Sequence, residues 1–492
     1  MLSRRAALSL LTAATAAPSV LRAQRKPGDK PNLLFIWTDQ QRADTMAAYG
    51  NTRFHVPTMN RLASESIVFD RAYVTQPVCT PSRSSVMTGL WPHTNGCVHN
   101  NIRLTTEAKT LPEVLQDASY RTGYFGKWHL GDEVFPQRGF EEWAAIEDGI
   151  YQSYYSEGRD KTARSAYHHF LIRQGYTPDS KQGFSRKSIT KFPIEHSKPS
   201  FLAQEASRFI MKHRAEPWLL YVNFLEPHTP FGSALDDLHT EEEARLPDNF
   251  DKVPDGGDCA WYEKRRQGFH QPKTEGFDMS KREGWQRASR NYAGLCSLVD
   301  QALARILWAL EASGQAENTI IVYTSDHGEM MGSHGLLTKS VMYEESVRIP
   351  YLIRVPFKNQ KPMRVTNPIS HIDTLPTVLD LLGRKECCGQ QGESLTGYFT
   401  GKRKPSDVFI EWNTSGANGE DGGPSARTVI TPDGYKLVLH DKDKNILFHR
   451  AKDPLELANL YSRPEHAAKT KELRSKIDTW QKRNKDKLEL PV

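Results

Sequence analysis

The sequence predicts an α/β fold: a large, doubly wound, mostly parallel sheet flanked by helices, with a smaller C-terminal α+β subdomain. Three observations carry this. Unbroken apolar runs at 32–37, 218–224 and 319–324 have the pattern of central parallel strands covered on both faces. Before the last of them Tyr292, Leu295, Val299, Leu303, Ile306 and Leu310 recur at three- and four-residue steps, and Gly314 stands where such a helix would stop. After Arg384 the chain changes to turns, short strands and a charged final helix.

The first 23 residues stand apart. Arg4 and Arg5 precede a short apolar run and a small-residue tract ending at Ala23, the layout of an export leader with twin-arginine character. Ser9, Thr12, Thr15 and Pro18 make it too short and polar for a membrane span. The expected organisation is a leader over 1–23, a catalytic domain over 24–384 and the α+β subdomain over 385–492, in a protein that is periplasmic or extracellular. A chain of 492 residues exceeds one ordinary core, which agrees with that division. Three positive charges (Arg4, Arg5, Arg22) lie in the leader, so the formal +6 falls to +3 in the mature chain. With no dense Lys/Arg stripe, nucleic acid is not an expected partner. The cysteines at 79, 97, 259, 296, 387 and 388 are too few for a disulfide scaffold. Cys387-Cys388 reads as a loop pair.

The strand at 32–37 runs into Thr38-Asp39-Gln40-Gln41-Arg42. Polar groups just beyond a buried strand lie where open α/β sheets place ligands, although Asp39 could equally cap a following helix. The run at 56–63 reads as a packing helix. In Cys79-Thr80-Pro81-Ser82-Arg83, Thr80 suits an N-cap and Pro81 a first helical position, so Cys79 should sit just ahead of a helix N-terminus that favours an anion. Arg83, one turn on, can point back to the same spot. The bland reading is a half-buried cysteine before a short helix. In Gly126-Lys127-Trp128-His129-Leu130-Gly131 a lysine and a histidine two apart can project the same way from an extended backbone. The strand at 218–224 ends at Glu226-Pro227-His228.

Residues 135–215 and 232–285 fit no clean period and read as lids or substrate walls, carrying Tyr151, Tyr154, Tyr155, Trp261 and Tyr262. The strand at 319–324 leads into Ser325-Asp326-His327-Gly328. Two strand ends that deliver Asp39, Gln40, Asp326 and His327 can build a cation site for a hard ion such as Ca²⁺. Beyond it lie Lys339 and Tyr343-Glu344-Glu345-Ser346-Val347-Arg348, where the acids and arginine read as a structural ion-pair cluster. Residues 369–383 should form a helix on the sheet. Strands are expected at 408–412 and 435–439, a Gly-rich loop at 416–423 and a helix near 465–485.

Several of these stretches together resemble the type I sulfatases of the alkaline-phosphatase-like superfamily. Cys79 to Arg83 matches their C-x-P-x-R signature, and Trp91-Pro92-His93 to Gly96, the Lys127 string, Glu226 to Phe231, the His334-to-Lys339 stretch and Asp453 to Leu460 continue the match over about 31–465. The resemblance implies a sulfatase whose Cys79 is oxidised by a dedicated maturation enzyme to formylglycine, the hydrated aldehyde being the nucleophile. It implies one Ca²⁺ held by Asp39, Gln40, Asp326, His327 and the residue at 79. Arg83, Lys127 and Lys339 would face the sulfuryl group, His129 the nucleophile's hydroxyl and His228 the leaving oxygen. Gln40 replaces the commoner aspartate, which removes one negative charge and lowers the expected metal affinity. A sulfated carbohydrate is the expected substrate. The alternatives are a phosphodiesterase or phosphonate monoester hydrolase of the same superfamily, and a carbohydrate-binding protein with an unmodified Cys79.

Overall fold

All seven residues of β1 (Asn32–Thr38) are buried, as are the six of β5 (Trp218–Asn223) and the seven of β6 (Thr319–Ser325). The computed structural model describes residues 30–358, 361–384, 389–415 and 422–491, without the side chains of 149–151 and 358. The leader, Cys387-Cys388 and most of the expected Gly-rich loop therefore lie outside the described residues, as does the side chain of Tyr151.

The three buried strands are neighbours, with β1 in the middle. Around them come β2 (Ile67–Tyr73), β3 (Arg121–Gly126), β4 (Glu142–Ala144), β7 (Arg348–Ile349), β8 (Tyr351–Arg354) and β9 (Met363–Ser370). The order is β4-β3-β5-β1-β6-β8-β2-β7, with β9 also on β2. From β4 to β6 every pairing is parallel, and β8 turns the direction. Alternate residues feed opposite faces. Phe35, Trp37 and Tyr221 pack with Val86 and Met87, whereas Ile36, Leu220 and Val222 pack with Phe209, Val299 and Leu303.

Register decides where the chemistry goes. Thr38 stands opposite Ser325, Trp37 opposite Asn223, and Asn223 opposite Gly126. The next residues out of β1, β6 and β3 are Asp39, Asp326 and Lys127, delivered side by side at the carboxyl edge of the sheet.

Three helices differ from expectation. The long helix spans Arg282–Ala312, starting well before the apolar stripe and ending ahead of Gly314 at φ +73°. Its length and composition would allow a membrane crossing, but 78% of the apolar stretch is buried inside the fold, so it is a core helix. It packs against Lys198–Lys212, inside a region that showed no period across its full length. Within that helix Phe201, Leu202, Phe209 and Ile210 do keep a helical stripe, and the Ser197 side chain accepts from the Ser200 amide at its start. The helix expected at 369–383 is confined to Thr374–Leu381, because Ile369 belongs to β9 and pairs with Ala72.

A second sheet, β10 (Val408–Trp412), β11 (Ala426–Ile430), β12 (Tyr435–His440) and β13 (Ile446–His449), is antiparallel in chain order. The helix Ala467–Asn484 covers it through Leu473 and Ile477. Fully buried Lys436 of β12 ties the two sheets together, donating to Met342 O at 2.7 Å and pairing with Glu344 and Glu456. Arg348 and Arg450 close on the same Glu344, so it does sit in an ion-pair cluster. The thiols of Cys79, Cys97, Cys259 and Cys296 are buried and free.

Candidate active site

The helix Cys79–Thr88 is buried at every residue. Val78 is the extended flanking residue, so Cys79 opens the helix and Thr80 is not its cap. The Thr80 hydroxyl instead donates to His129 O at 3.0 Å, tying this helix to the segment after β3. Arg83, one turn along, has no exposed surface. Its Nε donates to Asp326 Oδ2 at 2.9 Å, its Nη2 to Asp39 Oδ2 at 3.2 Å and its Nη1 to Lys127 O at 2.9 Å. The guanidinium lies over the Trp37 ring.

Because Arg83 takes Oδ2 of each aspartate, Oδ1 of each is left to face His327. His327 Nε2 is 3.6 Å from both Oδ1 atoms and 3.2 Å from Cys79 Sγ. Its Nδ1 lies 3.0 Å from Gly328 O, which places the proton there and leaves the lone pair on Nε2. Ligand atoms of Asp39, Cys79, Asp326 and His327 all lie within 4.8 Å of one another, every residue buried. Two carboxylate oxygens and an imidazole lone pair fit a divalent cation, and Sγ marks the position a nucleophilic oxygen on a modified residue 79 would take.

Gln40 reaches this group with its backbone N–H, 3.1 Å from Asp326 Oδ1. Its side chain lies between two others: Nε2 donates to Glu329 Oε2 at 2.5 Å, and Oε1 accepts from Lys339 Nζ at 2.8 Å. Lys339 Nζ is also 3.0 Å from His228 Nε2, and His228 Nδ1 is 2.7 Å from Thr229 O. On the other side Lys127 Nζ donates to Asp39 Oδ2 at 2.6 Å and lies 3.7 Å from Cys79 Sγ.

Lys127 and His129 do not project from an extended strand. Gly126, His129 and Gly131 all have positive φ, and a Cβ on Gly126 would stand 1.9 Å from Asn223 O. Buried Glu133 holds the kinked segment, accepting from the Trp128 and His129 amides at 2.8 and 2.7 Å. His129 Nε2 meets Asn101 Oδ1 at 2.8 Å. Sequence reasoning passed over Glu133, Glu329 and Asn101. The one available signal was that both glutamates fall within a few residues of a motif. Of the aromatic residues in the irregular regions, Tyr154 stands with its ring 6.4 Å from that of His129, whereas Tyr262 is core and accepts from the Met342 amide.

The electrostatics follow from burial and these pairings. Burial would raise the Asp39 carboxyl, but the charges of Lys127 and Arg83 hold it well below the usual range. Burial, then Asp39, pushes the Cys79 thiol up to about 12. Burial first, and then Lys339, holds His228 well below its ordinary value, and burial and Lys127 do the same to His129. Both imidazoles are neutral at neutral pH.

Residues 31–384 match the family model described as "Sulfatase", and residues 332–483 match "N-sulphoglucosamine sulphohydrolase, C-terminal". The chain belongs to the sulfatase family. This sulfatase is 28% identical to an N-acetylglucosamine-6-O-sulfatase of Bacteroides thetaiotaomicron over 99% of its own length and 92% of that protein's. Among solved structures it resembles one described as bound to its substrate D-glucosamine-2-N,6-O-disulfate (24% identity, TM-score 0.76, covering 93% and 99% of the two chains). It also resembles a phosphonate monoester hydrolase of Silicibacter pomeroyi (22% identity, TM-score 0.75, covering 92% and 96%). At these identities the two structures show a shared fold. The family makes the chain a sulfuric ester hydrolase.

Proposed function

We propose that this sulfatase is exported by its leader and hydrolyses sulfate monoesters of a sulfated carbohydrate, using formylglycine made from Cys79 and one bound Ca²⁺. The convergence of Asp39 Oδ1, Asp326 Oδ1, His327 Nε2 and Cys79 Sγ inside a ring of Arg83, Lys127 and Lys339 carries the reading. The sugar substrate rests on the named relative and on the substrate-bound neighbour. A bound Ca²⁺ would polarise the sulfuryl oxygens, and the hydrated aldehyde at position 79 would supply the attacking oxygen.

The chain's own groups have separate tasks. Asp39, Asp326, His327 and Gln40 would hold the cation, with Arg83 fixing both carboxylates. Lys127 and Lys339 face the transferred group from opposite sides, as fixed charges aimed at developing oxyanions. His228 is neutral, and its Nε2 lone pair already accepts from Lys339, so the proton for the leaving oxygen is held on the Lys339–His228 pair. With Nε2–H donated to Asn101, the His129 lone pair on Nδ1 can take a proton from residue 79.

Peptide mass spectrometry across Cys79, together with kcat/KM for matched aryl sulfate, phosphate and phosphonate esters, tests the reading. Full activity from protein whose Cys79 is wholly thiol would sink the mechanism. A clear preference for the phosphonate ester would make the chain a phosphonate monoester hydrolase in function.

A further inference from the structure

Glu329 follows the Asp326-His327-Gly328 turn and has no exposed surface. Three N–H donors converge on it. The Met331 and Thr338 amides both donate to Oε1, at 2.8 and 2.6 Å, and Gln40 Nε2 donates to Oε2 at 2.5 Å. Both carboxyl oxygens of Glu329 are thus used as acceptors.

The amide of Gln40 is nearly symmetric in shape, so its neighbours decide which end points where. Glu329 requires the NH₂ on its side. Lys339 Nζ, a donor only, requires the oxygen on the other. The two demands agree, and Oε1 is thereby turned toward Lys339, while the backbone N–H of the same residue meets Asp326 Oδ1. Gln40 is also the position where the expected aspartate charge is missing, and Glu329 stands one hydrogen bond behind it.

We propose that Glu329 is a positioning residue that locks the Gln40 amide with its oxygen on the Lys339 side, toward the cation site. The inference rests on the metal site proposed above. Partners that orient ligands in this way typically change metal affinity 10–100-fold when lost.

The chemistry dictates an isosteric exchange as the test. In Glu329→Gln, the amide oxygen introduced at position 329 can still accept both backbone amides, so the new NH₂ must face the Gln40 amide. If Gln40 stays, donor meets donor; if it turns round, its NH₂ confronts Lys339 and the cation. In Gln40→Glu with Glu329→Gln, the carboxylate now at position 40 accepts from the NH₂ at position 329 on one oxygen and from Lys339 on the other, and the total charge is unchanged. Ca²⁺ affinity and stoichiometry of the purified chain, measured by calorimetric titration and elemental analysis, need no turnover. The expected result is a 10–100-fold weaker Kd for E329Q, with recovery to within about threefold of native, or tighter, in the exchange variant. Native-like binding by folded E329Q overturns the inference, as does an exchange variant that binds no better than E329Q. Should E329Q not fold, a folded, Ca²⁺-binding exchange variant supports the inference and a failed one overturns it. Native protein that binds no Ca²⁺ instead sinks the metal site itself.

Discussion

At the scale of the residue, the site is a division of labour between two oxygens of each carboxylate. Arg83 occupies Oδ2 of Asp39 and Asp326 and leaves Oδ1 of each for a cation. Cys79→Ala should abolish turnover of aryl sulfate and leave the fold intact, as read by kcat and by an unchanged thermal transition. Protein made without the maturation enzyme should show thiol at position 79 and little activity. Asp326→Ala removes a proposed ligand and one of the two carboxylates paired with Arg83. Metal content by elemental analysis and activity should therefore fall together, and an unchanged metal stoichiometry would place the ion elsewhere.

At the scale of the element, the motif histidine next to the Cys79–Thr88 helix has a structural task. His93 Nδ1 lies 2.6 Å from Glu411 Oε1 and Nε2 2.9 Å from Asn484 O, so both ring nitrogens have acceptor partners and the imidazolium is favoured. Burial works against that charge, but Glu411 outweighs it and raises the pKa above 6.5. A raised folded value means that this stabilisation is full below pH 6.5 and is lost as pH rises through the folded pKa. Urea unfolding at stepped pH should show native protein losing more stability above pH 6.5 than His93→Gln does. Equal slopes would mean that His93 carries no linked proton. Elsewhere the long helix caps a neighbour: Asp300 accepts from the Thr58 and Met59 amides at the start of Pro57–Ser64.

At the scale of the molecule, two sheets meet through a buried charge cluster centred on Lys436. Lys436→Ala leaves Glu456 with only the more distant Arg450 and takes one of three cations from Glu344, and should cost about 3–5 kcal/mol in denaturant unfolding. A loss below about 1 kcal/mol would show that the cluster is not what joins them. The site also gathers Lys127 and Lys339 around Cys79, with Arg83 behind the carboxylates, a positive field that suits either a sulfate or a phosphate ester. Phosphate carries nearly two charges to sulfate's one and should bind at least as well. Sulfate is the weaker base and is expelled more easily. Aryl sulfate should therefore be turned over faster than aryl phosphate, with inorganic phosphate an inhibitor. Steady-state rates on the matched esters check this, and a faster phosphate reaction would refute it.

Strands β1, β5 and β6 were readable because strands covered on both faces carry near-continuous apolar runs, with polar residues only toward their ends. The residues beyond them, Asp39, Asp326, His327 and Cys79, could be named because their spacing within short motifs is local. What local spacing could not show is anything that depends on register or on a third element. The helix start at Cys79 moved because Thr80 finds His129 O across the site. The Lys198–Lys212 helix was lost in the region around it, since its stripe is short. Lys127 and His129 reach the site through left-handed turns, set where Gly126 comes against Asn223 and held by Glu133. Glu329, Glu133 and Asn101 look like ordinary polar residues until folding seals the two glutamates in the interior, sets Glu329 against Gln40 and sets Asn101 against His129. A buried carboxylate is costly unless donors surround it: Glu133 finds its donors locally on Trp128 and His129, whereas Glu329 also takes Gln40, which only the tertiary structure brings to it.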